Sequence, residues 1–139
     1  MGIILEPYLS FNDGQCAVAI EFYQAAFGGT AEIMRKGDAP VPCDEAHKNH
    51  VMHCYFKSGN VNFMACDGMS DKPSVMGDNI HMSLNFTDEA EQTKIFEHLS
   101  AGGKITMPLG DTFWGARFGM LTDQFGIHWM FNCNKTPSI

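Results

Sequence analysis

Three histidines, His47, His50 and His53, recur at a spacing of three, with Cys43 a few residues upstream. Zinc takes nitrogen and sulfur ligands of these kinds. The spacing gathers all three rings only on a helix or a tight loop. His53, however, opens a segment that reads as a strand, so one turn does not easily collect the set, and the plainer reading is a His-rich polar loop. A second possibility is a nucleophilic cysteine, because an imidazole beside a thiol can activate it as a thiolate. Cys54 and Cys66 are the candidates near His53. Alternation along a strand turns Cys54 away from His53, leaving Cys66, for which no orienting carboxylate is identifiable. A third is the loop Asp111-Thr112-Phe113-Trp114-Gly115. An indole in a loop suits the wall of a small-molecule cavity, since such cavities are largely apolar and aromatic. Phe118 continues that aromatic run, although most of the aromatic and methionine load of the C-terminal third must be core.

Other chemistries lack their residues. No Gly-x-Gly-x-x-Gly follows a strand, and no phosphate-binding Gly-x-x-x-x-Gly-Lys-Ser/Thr occurs. Gly28-Gly29 and Gly102-Gly103 read as helix stops. No nucleotide or S-adenosylmethionine site of the Rossmann type is therefore expected, and no cofactor. Nine basic residues stand against sixteen acidic ones, and the net charge is −7. The cations are scattered, whereas nucleic-acid binding needs them clustered. No apolar run reaches membrane-spanning length, and the first residues lack the basic flank of a signal peptide. Cys16, Cys43, Cys54, Cys66 and Cys133 are an odd number with no Cys-x-x-Cys pair, which points to free thiols rather than a secreted disulfide framework. A cytoplasmic protein with no nucleic-acid or membrane partner is the expectation.

The elements that must position these side chains form a weak repeat. Phe11-Asn12-Asp13 opens a helical pattern closed by Phe27-Gly28-Gly29, and Phe86-Thr87-Asp88 opens another closed by Ala101-Gly102-Gly103. The first helix is predicted over about 14–27, capped by Asn12 or Asp13, with Cys16, Ile20, Tyr23 and Phe27 as its apolar stripe. The second is predicted over about 89–100, with Asp88 and Glu91 resembling a capping box and Ile95, Phe96 and Leu99 buried. Strands are expected at 3–11, 30–36, 51–57, 61–67, 79–86, 103–107, 116–122 and 127–133, and a long loop at 37–50. The order is βαβββ followed by βαβββ.

Strand parity assigns faces. His81, Ser83 and Asn85 share one face of 79–86, and Ile80, Met82, Leu84 and Phe86 the other, which should meet the helices. Whether the hairpin turn is Ser58-Gly59 or Gly59-Asn60, paired residue numbers sum to an odd number. His53 therefore shares a face with Asn62, Met64 and Cys66, and the opposite face carries Met52, Cys54, Phe56, Val61, Phe63 and Ala65. His53, His81, Ser83 and Met64 are expected to line one shared concavity.

The tandem modules resemble the vicinal oxygen chelate superfamily, which includes glyoxalase I, bleomycin-resistance proteins and extradiol dioxygenases. The segments Pro7-Tyr8-Leu9-Ser10-Phe11, Ala19-Ile20-Glu21-Phe22-Tyr23-Gln24 and, above all, Asp111 through Met130 are similar to its PhnB-like branch. The resemblance implies an α+β fold, one domain over 1–139 built of modules at about 1–67 and 79–135, and a cupped sheet that holds a ligand. Its metal-using members imply ligands at Glu6, Met64, His81 and Met130. Met64 and Met130 are thioethers, poor ligands for hard divalent ions, so no zinc, nickel or iron is expected. The branch often carries a demethylubiquinone methyltransferase-like label, which the missing S-adenosylmethionine loop argues against as an activity. The expectation is a small-molecule-binding homodimer, with Glu6, Tyr8, His53, Met64, His81, Ser83, Trp114, Phe118 and Met130 as cavity candidates. The alternatives are a glyoxalase-related isomerase or lyase using His81, His53 and Glu6, and a drug-sequestering resistance protein.

Overall fold

The computed structural model describes residues 2–69 and 71–135, in two units, the first running to Val75 and the second beginning at Met76. The first unit contains β1 (Tyr8–Phe11), α1 (Cys16–Phe27), β2 (Thr30–Arg35), β3 (Val51–Ser58) and β4 (Val61–Asp67). Its sheet order is β1-β4-β3-β2, with β1 parallel to β4 and the other pairs antiparallel. The second unit contains β5 (Met82–Phe86), α2 (Glu89–Ser100), β6 (Lys104–Asp111), β7 (Ala116–Thr122) and β8 (His128–Asn134). Its order, β5-β8-β7-β6, repeats the first, again with one parallel pair, β5 with β8. The α+β fold with two βαβββ units is as expected.

Each helix covers one face of its own sheet. Cys16, Ala19, Ile20 and Tyr23 of α1 are buried, with Tyr23 edge-on to Phe63 at 5.6 Å between ring centroids. Phe27 is only half-buried, and meets Phe56 at 6.4 Å. Leu9, Phe11, Cys54, Phe56, Phe63 and Ala65 complete that core. In the second unit Ile95, Phe96 and Leu99 are buried as predicted, with Phe96 edge-on to Phe131 at 4.9 Å. Gln92 joins them fully buried, which apolar periodicity cannot signal. Its Nε2 donates to the Arg117 carbonyl at 2.9 Å, and its Oε1 accepts from the Arg117 guanidinium at 3.1 Å. An amide can be buried only when its donors and acceptors are paired in this way.

The cap of α2 is where the sequence places it: the Asp88 side chain accepts from the Ala90 N–H at 3.1 Å. The start of α1 differs. Asp13 and Gly14 both take positive φ, 55° and 72°, which no α-helical residue adopts, so the helix begins at Cys16 rather than 14. Neither expected residue caps it. Asn12 instead pairs twice with the Ser74 backbone at 2.9 Å, and the Cys16 N–H donates to Asp67, at the far end of β4.

The paired glycines do more than stop helices. Gly28 and Gly102 both take φ of 73° at helix ends. The residue after each packs against backbone: a Cβ on Gly29 would lie 2.3 Å from the Lys57 carbonyl, and one on Gly103 2.4 Å from the Thr122 carbonyl. The two units share this close approach as well as their topology.

Several strand bounds differ from expectation. β1 begins at Tyr8, not at 3, and Ile3, Ile4 and Leu5 are exposed. Ladder pairing there starts with the Met64 N–H to the Pro7 carbonyl at 2.9 Å. β5 begins at Met82, leaving His81 just outside it. β6 runs on to Asp111 through two register shifts, between Ile105 and Met107 and between Met107 and Gly110; the second spans Pro108, whose missing N–H an edge strand tolerates where no ladder bond is needed. The segment expected as a loop carries two short 3₁₀ turns, Lys36–Asp38 at its start and Glu45–His47 within it.

Candidate functional site

Ser58 pairs with Val61, so the hairpin turn is Gly59-Asn60 and paired numbers sum to an odd value. His53, Tyr55, Met64 and Cys66 therefore share the face turned away from α1, joined by Tyr8 and Ser10, which pair with Met64 and Cys66. Met52 departs from strict alternation. The register slips between Met34 and Arg35, so that Arg35 pairs with Val51 and Met52 is the extra residue of a bulge. Val51 is buried beside Cys54 and Met52 is not, as a one-residue insertion requires.

On this open face the polar groups are coupled. The Tyr8 hydroxyl lies 3.3 Å from His53 Nδ1, with the two rings 5.8 Å apart. Partial desolvation first, and the neighbouring Cys66 thiol second, push the Tyr8 phenol up to about 12. The Tyr55 hydroxyl donates to Glu6 Oε2 at 2.5 Å, and that bond, ahead of desolvation, raises the Tyr55 phenol above its ordinary value. Asn62 Oδ1 is buried and has no hydrogen-bond partner among the described residues. A cavity of about 460 Å³ opens over His53, Tyr55, Glu32, Ile33 and Met34. Tyr55, Glu32 and Met34 were not among the sequence candidates. Tyr55 could have been found by the same parity that placed His53; β2 offered no residue pattern to single out.

The face of the second sheet turned away from α2 carries Ser83, Met130, Phe118 and Met120, paired in adjacent rows, with Asn85 and Asn132 beside them. Trp114 is half exposed in the loop after β6, its ring 5.7 Å from Phe118, while Phe113 is 98% exposed. His81 stands beside His128, ring centroids 5.3 Å apart. His128 donates from Nε2 to the Gly77 carbonyl at 2.6 Å, which leaves Nδ1 of the neutral ring to accept from the Thr122 hydroxyl at 2.7 Å. Thus Glu6, Tyr8, His53 and Met64 stand together in the first unit, and Ser83, Met130 and Phe118 in the second, with His81 and Trp114 bordering that face.

The histidine trio is divided. His47 and His50 meet edge-on at 5.0 Å in the loop, while His53 belongs to the sheet. Among the described residues, no three His, Cys, Asp or Glu side chains are placed to hold a metal ion. The set implied by the resemblance fares no better. Glu6 is engaged by Tyr55, Met64 and Met130 offer only thioethers, and hard divalent ions prefer oxygen or imidazole. These residues do not fit such a metal. Cys54 is fully buried, and burial pushes its thiol up to about 11, so it is inert. Cys66 sits on the open face, 3.8 Å from the Ser10 hydroxyl.

A family model described as Glyoxalase/Bleomycin resistance protein/Dioxygenase superfamily matches residues 7–131. Protein YjdN of Escherichia coli is 33% identical to this chain, over 94% of it and 95% of its own length. The crystal structure of protein PA1353 from Pseudomonas aeruginosa is 40% identical and superposes with a TM-score of 0.87, over 96% of this chain and 98% of that one. A PhnB protein from Bacillus cereus superposes with a TM-score of 0.74, covering 94% of this chain and 99% of its own. It is 24% identical, and the likeness concerns the fold alone.

Proposed function

Because this chain belongs to the glyoxalase/bleomycin resistance protein/dioxygenase superfamily, we propose that it is a PhnB-like protein holding a small molecule on its open sheet faces. The observation that carries this is the cavity of about 460 Å³ over His53 and Tyr55, a volume within the usual range of small-molecule sites. It stands over a half-polar sheet face whose aromatic rings offer contact area and whose His53 and Glu32 offer polar anchors. The unpaired acceptor Asn62 Oδ1 on the same face favours a ligand bearing a hydrogen-bond donor.

A thermal-shift screen with small aromatic and cationic compounds tests this. A ligand at about one hundred times its Kd adds about 2.7 kcal/mol to stability, a shift a melting curve resolves. The expected result is a compound that stabilises the native chain and loses its effect in His53→Ala and Tyr55→Phe. Compounds that stabilise all three proteins equally would place the ligand elsewhere. Recovery of the compound unchanged supports binding without chemistry. A changed compound instead favours an isomerase or lyase, in which Tyr8-linked His53 is the first candidate for proton transfer.

We further propose a homodimer in the cytoplasm. β2 and β6 are edge strands with exposed apolar side chains, Ile33 and Met34 on one and Ile105 and Met107 on the other, and such edges invite pairing or coverage. All five cysteines are free, as a reducing compartment requires. Light scattering should return twice the chain mass of 15.4 kDa; a concentration-independent monomer mass would reject the dimer.

A further inference from the structure

A second cavity of the first unit, about 380 Å³, shares no lining residue with the His53 and Tyr55 pocket. Four of its walls carry sulfur: Cys43, Cys66, Met52 and Met69. They come from three parts of the chain. Cys43 follows Val41 and Pro42 in the loop between β2 and β3, Cys66 is on β4, and Met69 follows it. Met52 reaches the cavity because it is the bulge residue of β3; regular alternation would have put it on the buried face with Cys54.

The other polar groups of this wall are already engaged. The Asp67 carboxylate accepts the Cys16 and Val51 amides at 3.0 and 2.7 Å, and Lys36 Nζ donates to the Gly68 carbonyl at 3.0 Å. No imidazole lines the cavity. The donors left for a ligand are therefore two thiols and two thioethers. Hard ions want oxygen, zinc prefers four closed nitrogen or sulfur ligands, and thiolate with thioether selects Cu(I).

We propose that this cavity is a binding site for Cu(I), with Cys66 and Cys43 as thiolate ligands and Met52 and Met69 as thioether ligands. Each thiol that coordinates gives up its proton to solvent, so metal uptake releases protons. The Cys43 thiol now points to the Asp44 carbonyl at 3.4 Å and rotates from it to bind.

The test uses the reduced, full-length chain without oxygen, titrated with Cu(I) against bathocuproine disulfonate, whose coloured complex reports the copper the protein does not hold. The expected result is about one Cu(I) retained per chain, with affinity lowered about tenfold or more in Cys66→Ser and in Cys43→Ser. Met52→Leu with Met69→Leu weakens retention, and Cys133→Ser, in the other unit, leaves it unchanged. Cys43 is exposed, so C43S decides the matter if C66S fails to fold. X-ray absorption at the copper edge should show sulfur neighbours alone. Absence of retained copper, retention indifferent to C43S, a nitrogen shell, or preferential retention of Zn(II) would each overturn the proposal.

Discussion

The side chain of Asp67 accepts the N–H of Cys16, the first residue of α1, at 3.0 Å, across fifty-one residues of sequence. Its other oxygen accepts the Val51 N–H at 2.7 Å. One buried carboxylate thus ties the helix start to β4 and to the bulged end of β3. A negative charge at a helix N-terminus is favourable both as a cap and toward the helix dipole.

Asp67→Ala should cost about 3 kcal/mol, because two buried amides lose a charged acceptor, each such bond being worth about 1.5–3 kcal/mol. Asp67→Asn keeps one acceptor and should cost less. Urea denaturation of the two variants checks both the size and the order; equal stability of D67A and the native chain would mean that Asp67 does not cap the helix.

Gly29→Ala and Gly103→Ala should each destabilise by about 2–3 kcal/mol, through a Cβ forced onto a backbone carbonyl that cannot move aside. Gly28→Ala meets nothing within 4 Å, so it should cost only what φ 73° with ψ −149° asks of an L-residue, about 1–3 kcal/mol, and less than Gly29→Ala, which adds a clash to its own positive φ. Thermal melts of the three variants test the ranking.

Raising pH should weaken the protein through Tyr8. Its phenol is held up at about 12 against an ordinary 10.0, so between those values the unfolded chain has lost a proton the folded chain keeps. The contribution is whole below pH 10 and is lost as pH rises toward 12. The side chain is half exposed, so solvent screening leaves the effect well below the full value of the shift. The phenolate absorbance that disappears in Tyr8→Phe should develop near pH 12; development near pH 10 would contradict the coupling to Cys66 and the sheet.

Elemental analysis of the purified protein should find no stoichiometric zinc, nickel or iron. The reason is the donor set: Glu6 is occupied by Tyr55, and Met64 and Met130 are thioethers. One such ion per chain, lost in His81→Ala, would reverse this conclusion.

Much of the architecture was legible in the residues because it is local. α2 was bounded by Asp88 and Gly102, and β4 and β7 fall where alternation puts them. The hairpin parity that joined His53 to Met64 and Cys66 followed from one turn, since a period of two leaves only two faces to choose between. What remained hidden is non-local. Ile3, Ile4 and Leu5 have the composition of a strand, but the Met64 amide finds its acceptor at Pro7 and the ladder goes no further. Asn12 and Asp13 are good caps by type, yet Asp67 wins the helix start because the parallel pairing of β1 with β4 delivers a buried carboxylate there. Gln92, Met52 and Tyr55 owe their roles to a guanidinium, a bulge and a carboxylate distant in sequence. Propensity and periodicity are properties of neighbouring residues, and they placed the elements. Which polar group satisfies which, and where an extra residue turns a side chain to the other face, depends on what packing brings alongside.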